Sequence, residues 1–158
     1  FKKIIKKLTS NLKLKNDIFV HRDFHVSNLM LVKNQIGVID SQDALIGNKA
    51  YDLASLIDDV RFRTSTLLKQ KIYNYYIKNH LKLEKRKFKN DFEILSILRN
   101  LKIIGIFTRL AMRDRKKKYL KLIPHAWNLI AIRINKNKIF NELKNLINEN
   151  FEKKLNEN

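Results

Sequence analysis

Cysteine is absent from these 158 residues, which removes disulfides, thiolate nucleophiles and sulfur-ligated metal sites at once. That fits a reducing compartment, and a cytoplasmic location is expected. Glycine is nearly as scarce, at Gly37, Gly47 and Gly105 only, so the residues present cannot assemble a glycine-rich loop around a phosphate chain. One proline, Pro124, leaves long stretches without a helix breaker. No apolar run approaches the roughly 18 residues needed to span a bilayer, and the Lys-rich opening lacks the apolar segment of a secretory signal. No membrane partner is expected. Acids are the last shortage, 15 against 34 Lys and Arg, for a formal charge of +19.

Lysine supplies 25 of those 34 basic residues, and asparagine and isoleucine are also abundant. An AT-rich coding bias produces that combination, with lysines on solvated helix faces. Nucleic acid is therefore not expected as a partner, although a non-catalytic module that binds a polyanion is the alternative from outside the enzymes. With 44% hydrophobic residues the chain can bury one core, and residues 1–158 are expected to form a single domain.

The polar chemistry gathers between Phe19 and Asp52. His21, Arg22 and Asp23 follow a β-prone run, Ile18-Phe19-Val20, and Asn28 comes five residues after Asp23. Leu29–Val32 and Ile36–Ile39 are apolar and rich in branched residues, and Lys33-Asn34-Gln35 between them suits a turn, so the segment reads as a hairpin. Folding it about Asn34 brings Asn28 and Asp40 together at the open end. Neighbouring strands lie about 4.8 Å apart, close enough for an amide oxygen and a carboxylate to share one cation. Hard oxygen ligands without a cysteine or histidine cage point to magnesium. Asp23, on the loop entering the hairpin, can face that ion without binding it, which is where a base for a substrate hydroxyl belongs. Phosphoryl transfer uses such an aspartate beside an asparagine and a second aspartate that hold magnesium on the phosphates. His-Arg-Asp, four residues, Asn and then Ile-Asp follows the protein-kinase signature until Ser41-Gln42-Asp43 replaces Phe-Gly.

That departure points away from protein kinases. HRDFHVSNLML, GVIDSQDA and YDLASLIDD resemble the aminoglycoside phosphotransferase-like small-molecule kinases. RNLKIIGIFTRLAMRDRKKKYLKLIPHAW, residues 99–127, resembles the branch containing the anomeric kinases of N-acetylmuramate and N-acetylglucosamine. The likeness covers most of residues 18–133. It implies an α+β fold, mostly α: the C-terminal lobe of a protein-kinase-like fold, a helical bundle with a small β-hairpin carrying the catalytic loop and metal ligands. ATP and Mg2+ are the implied cofactors, and a sugar of cell-wall recycling the implied substrate. Asp23 is then the catalytic base, with Asn28 and Asp40 on the metal. Asp52 braces the catalytic loop from below and His21 supports it. His25, Asp43, Arg109 and Arg113 are candidates for substrate or auxiliary contacts, the two arginines lying one helical turn apart.

An aminoglycoside or choline-type acceptor is the rival within the enzymes. Polycationic acceptors need clustered acids, whereas residues 99–121 are strongly basic, which favours a neutral or anionic acceptor. The catalytic loop begins within the first twenty residues, so the nucleotide-binding N-terminal lobe is an expected missing partner and the chain alone is expected to be nearly inactive. Phe1 in place of methionine suggests the same.

The remaining residues read as supports. Ile4, Ile5, Leu8 and Leu12 mark a first helix. Gly47-Asn48 is expected to turn, with Asn48 capping a helix that contains Asp52, Leu53, Leu56, Ile57 and Val60. A helix is expected over 64–80, a solvated connection over 82–90, and a long helix capped by Asp91 and interrupted at Gly105, where a helix or sugar could approach. Arg113–Lys118 is a basic turn, and Pro124 suits the first turn of the next helix. The last helix runs from Ile139 to Phe151 and frays over 155–158. His80 and His125 are expected at the surface or at helix ends.

Overall fold

The computed structural model describes residues 1–152. Helix α1 (Lys2–Ser10) turns Leu8 inward, with Ile4 beside it and lysines outside. Strand β1 (Asn16–Val20) follows, then a 3-10 turn (Val26–Asn28) and the hairpin of β2 (Leu29–Val32) and β3 (Gln35–Val38). Strand β4 (Leu45–Asn48) pairs antiparallel with β1, Val20 opposite Leu45 and Ile18 opposite Gly47. Gly47-Asn48 therefore sits in a strand and is not the expected turn. The glycine is needed for contact: a Cβ there would come within 3.2 Å of Val20 Cγ2.

Helix α2 (Tyr51–Ile57) begins after Ala50, which caps it without a side-chain hydrogen bond. Asn48 is not the cap. Its Oδ1 accepts from Ala50 N at 3.0 Å and its Nδ2 donates to Asp91 Oδ2 at 2.7 Å, so the side chain joins β4 to the helical part instead. Ser65 caps α3 (Thr66–Asn79) by accepting from Leu68 N.

Helix α4 (Lys85–Met112) starts inside the segment expected to be a solvated connection. Phe88 is the reason, because its ring is fully buried against Ala50, Leu53 and Ile57 and recruits residues 85–90 into the helix. Asp91 consequently lies within α4 and caps nothing there. Fully buried, it accepts from Lys13 N (2.8 Å) and Leu14 N (2.9 Å), tying down the chain that leads into β1.

Helices α5 (Ile123–Ile134), with Pro124 in its first turn, and α6 (Asn141–Ile147) pack against α4 or α1, and a π-helical turn (Asn148–Glu152) follows. The expected fraying over 155–158 falls outside the described residues. Helix α4 supplies all three apolar clusters: Phe88, Phe92 and Leu95 to one, Ile94 and Ile97 to the second, Ile103 and Phe107 to the third. A helix apolar around its circumference belongs at the centre of a bundle. The fold is α+β and mostly helical, with two small antiparallel sheets at one end. No described helix is long and apolar enough to cross a membrane.

Candidate active site

The loop after β1 is held from below. Arg22 adopts a left-handed φ of 71°, a conformation that costs a non-glycine residue roughly 1 kcal/mol or more. Asp52, in the first turn of α2, offsets this by accepting from His21 N at 2.7 Å and Arg22 N at 3.0 Å. His21 is buried, and its Nε2 lies 3.0 Å from the Ile39 carbonyl. A carbonyl only accepts, so Nε2 carries the hydrogen. One imidazole thus joins the loop carrying Asp23 to the residue before Asp40.

Asp23 projects into solvent. Its carbonyl accepts from His25 N at 3.0 Å and from Asn28 Nδ2 at 2.9 Å. With that nitrogen committed, the Oδ1 of Asn28 is the side-chain atom left to face a cation. The hairpin turn is tighter than the sequence suggested. Lys33 and Asn34, both left-handed (φ 47° and 63°), form a two-residue loop of the kind that matches strand twist. Its centre lies between those residues and not at Asn34, so Ile39 is the residue opposite Asn28, its N–H donating to the Asn28 carbonyl at 3.0 Å. Asp40 comes next, exposed and left-handed (φ 66°). Asn28 and Asp40 thus share the open end of the hairpin, offset by one residue from direct opposition.

Two hard oxygen groups at one strand end suit a cation that completes its shell with phosphate and water. Magnesium behaves this way, taking one or two carboxylates plus substrate phosphates. Among the described residues no group of three or more His, Asp or Glu could cage a metal. The donor set fits an ion brought in with phosphates.

The auxiliary candidates separate. His25 is buried next to Asp23, and burial, reinforced by the Arg61 and Arg99 charges against the opposing Asp59 and Asp23, lowers its pKa. Asp43 is exposed, and only its carbonyl engages the loop, accepting from Arg22 Nη1 at 3.3 Å. Arg109 and Arg113 are exposed at the far end of α4, where Arg113 pairs with Asp114 at 2.7 Å. Arg109 lies ten residues beyond Arg99, about 15 Å along a helix, and it is the buried Arg99 whose charge acts on His25 and Asp23.

Four residues that the sequence reading passed over lie within electrostatic reach of the loop carrying Asp23. Tyr51, Asp59, Arg61 and Arg99 interact electrostatically with one another or with Asp23. Arg99 carried a legible signal, a charge on a helix face of leucine and isoleucine. Asp58, beside Asp59, is bound by Lys69 Nζ at 2.9 Å, Arg133 Nη2 at 2.6 Å and Ser96 Oγ at 2.5 Å, which fixes the end of α2 to α3, α4 and α5.

Residues 1–85 match the family model described as the phosphotransferase enzyme family. The chain belongs to that family. Four relatives carry the name N-acetylmuramate/N-acetylglucosamine kinase, among them the following three. The Neisseria meningitidis serogroup B protein is 39% identical over 120 residues, covering 72% of this chain and 36% of its own length. The Caulobacter vibrioides protein is 32% identical over 115 residues, 70% of this chain and 32% of its own. The Pseudomonas putida protein is 33% identical over 140 residues, 84% and 41% respectively. This phosphotransferase-family chain thus spans about a third to two fifths of the curated relatives it matches.

Proposed function

We propose that this chain is the C-terminal, acceptor-binding lobe of an ATP-dependent phosphotransferase that phosphorylates a sugar hydroxyl of N-acetylmuramate or N-acetylglucosamine, in the cytoplasm. The observation that carries the reading is the joint suspension of Asp23, Asn28 and Asp40 from one scaffold. Asp52 pins the loop amides, His21 links that loop to Ile39, and Asn28 is bonded to the Asp23 carbonyl. Relatives named for these sugars support the choice of acceptor.

Asp23 orients the acceptor hydroxyl and takes its proton as the oxygen attacks the γ-phosphorus of ATP, and ADP departs. Asn28 and Asp40 would hold Mg2+, which when bound supplies charge neutralisation on the phosphates. Asp52 and His21 keep those side chains in register. No glycine-rich phosphate loop can be made from three scattered glycines, so a nucleotide-binding lobe is required as partner. Nucleic acid is not.

The test joins this chain to such a lobe and measures phosphoryl transfer from ATP to each sugar. Asp23→Asn should lower turnover by roughly 10²- to 10⁴-fold. Because Asp23 is exposed, stability should change by no more than about 0.5 kcal/mol. Unaltered turnover would remove Asp23 from the chemistry. Substantial turnover by the isolated chain would show that no further lobe is needed.

A further inference from the structure

Near the loop that carries Asp23, two buried side-chain atoms lack an internal partner and one buried guanidinium is sparsely bonded. Asp59 is fully buried; its Oδ1 accepts from Arg61 N at 2.9 Å, and its Oδ2 has no partner. His25 is 6% exposed, and its Nδ1 is enclosed without a partner. Arg99 is 4% exposed, and its one hydrogen bond among the described residues is a long one, Nη1 to the Asp58 carbonyl at 3.4 Å. A guanidinium has five donors. These groups fall within electrostatic reach of one another and of Asp23.

Buried polar groups in folded proteins are almost always paired, and a fully buried carboxylate oxygen left unpaired calls for a function or a ligand. Stability alone does not explain this one, because nearby Asp58 shows how fully the same fold satisfies a structural carboxylate. The three groups also differ in what they offer. A free carboxylate oxygen accepts from a hydroxyl, a guanidinium donates to a carbonyl or carboxylate, and an imidazole does one of each.

Arg61 flanks Asp59. Its side chain is 36% exposed, with Nη1 3.8 Å from Asp59 Oδ1, and its guanidinium lies 5.7 Å from the centroid of the Phe107 ring. The 3.8 Å separation is too long for a hydrogen bond. Arg61 can therefore turn aside without breaking a strong contact.

We propose that Asp59, His25 and Arg99 form the acceptor subsite beside Asp23, with Arg61 as a movable cationic rim that selects a polyhydroxy acceptor bearing an acid group. Asp59 takes a ring hydroxyl and Arg99 donates to the acceptor from the buried side. Arg61 swings from Asp59 to the acid. The proposal rests on the sugar-kinase reading and adds residues outside the Asp23, Asn28 and Asp40 set.

The test is sugar binding by the chain without nucleotide, followed by ligand-observed NMR or calorimetry with N-acetylglucosamine and its acidic counterpart N-acetylmuramate. Wild type should bind both, the acid more tightly. Asp59→Asn should weaken both by roughly tenfold or more, the loss expected for a hydrogen bond to a charged group. Arg61→Ala should weaken N-acetylmuramate by about threefold to tenfold and leave N-acetylglucosamine unchanged. Circular dichroism checks folding of the Asp59 variant, and the exposed Arg61 variant keeps the test intact if Asp59→Asn does not fold. Binding of neither sugar, or equal weakening of both by Arg61→Ala, overturns the subsite. Kinetics with a nucleotide-binding lobe attached separate the two ideas. Sugar phosphorylation whose KM ignores both substitutions overturns the subsite and leaves the kinase reading standing. If no sugar is phosphorylated, the kinase reading falls and the subsite with it.

Discussion

The two ends of the molecule are stabilised by different means. Around α4, side chains from five helices fill three apolar clusters, and a buried acid, Asp58, is bonded by Lys69, Arg133 and Ser96. Around the strands there is almost no core: Phe19, Leu31, Ile36 and Ile46 are 63–76% exposed. Two-stranded sheets are marginal in water, so this end takes its shape from the other. Carboxylates on helices reach out and hold its backbone, Asp52 at His21 and Arg22, Asp91 at Lys13 and Leu14. The proposed chemistry is thus placed on a weakly cored shelf whose geometry is set by hydrogen bonds from the helical body.

The largest effect should come from breaking the rigid body. Asp58→Ala leaves Lys69 and Arg133 nearly buried without their acid, and loss of one partner of a buried ion pair costs about 3–5 kcal/mol. Denaturant unfolding should show that loss for the whole chain, and a loss confined to the strand end would contradict this division of the molecule. Asp52→Asn should act the other way round. It removes one of two acceptor oxygens and costs about 1–3 kcal/mol. Hydrogen exchange should accelerate selectively at the His21 and Arg22 amides, with α4 unaffected.

Acid should also distinguish structural groups by the pH at which they fail. Burial pushes Asp58 up, but Arg133, Lys69 and hydrogen bonds from Lys69 and Ser96 outweigh it and leave its pKa below the usual carboxylate range. A carboxyl depressed in the folded state contributes stability above its unfolded pKa of about 3.9 and loses it as pH falls through the folded value. His125 fails earlier. Its pKa is lowered by burial and by Lys69 and Arg63, against the opposing pull of Asp58 and Asp59. The unfolded chain then binds the proton more readily, so stability should decline as pH drops below about 6.5. Melting temperatures measured across pH should show two separate declines, and because His25 is lowered as well, His125→Gln should shrink the milder one without abolishing it and leave the acid one unchanged.

Much of the strand end could be read from residue type, because its chemistry is local. His-Arg-Asp, Asn28 and Ile39-Asp40 sit within twenty residues, and branched runs about a polar break specify a hairpin. The one-residue error in register has a plain cause: two consecutive left-handed residues, Lys33 and Asn34, make a shorter turn than a three-residue polar break suggests. The start of α4 was hidden because residues 82–90 are dominated by charge, and only tertiary contact reveals that Phe88 is worth burying there. Asp59 and Arg99 escaped notice because forty residues separate them. Nothing local marks them as neighbours, and family likeness pointed instead to the exposed Arg109 and Arg113.

Gly105 offers the smallest and cleanest test of where function ends along α4. The sequence suggests that a glycine within an apolar helix makes room for a neighbour or a sugar. The structure gives it an exposed position, with nothing within 4 Å of where a Cβ would stand. Its helical backbone asks for no glycine either, since no glycine in the chain has a positive φ. The remaining effect is propensity: alanine restricts the unfolded chain and favours the helix by roughly 0.5–1 kcal/mol. Gly105→Ala should therefore raise the melting temperature slightly and leave sugar binding unchanged. Weaker sugar binding in this variant would move the proposed acceptor site along α4 towards Arg109, and with it the boundary between the shelf assigned to the chemistry and the body that supports it.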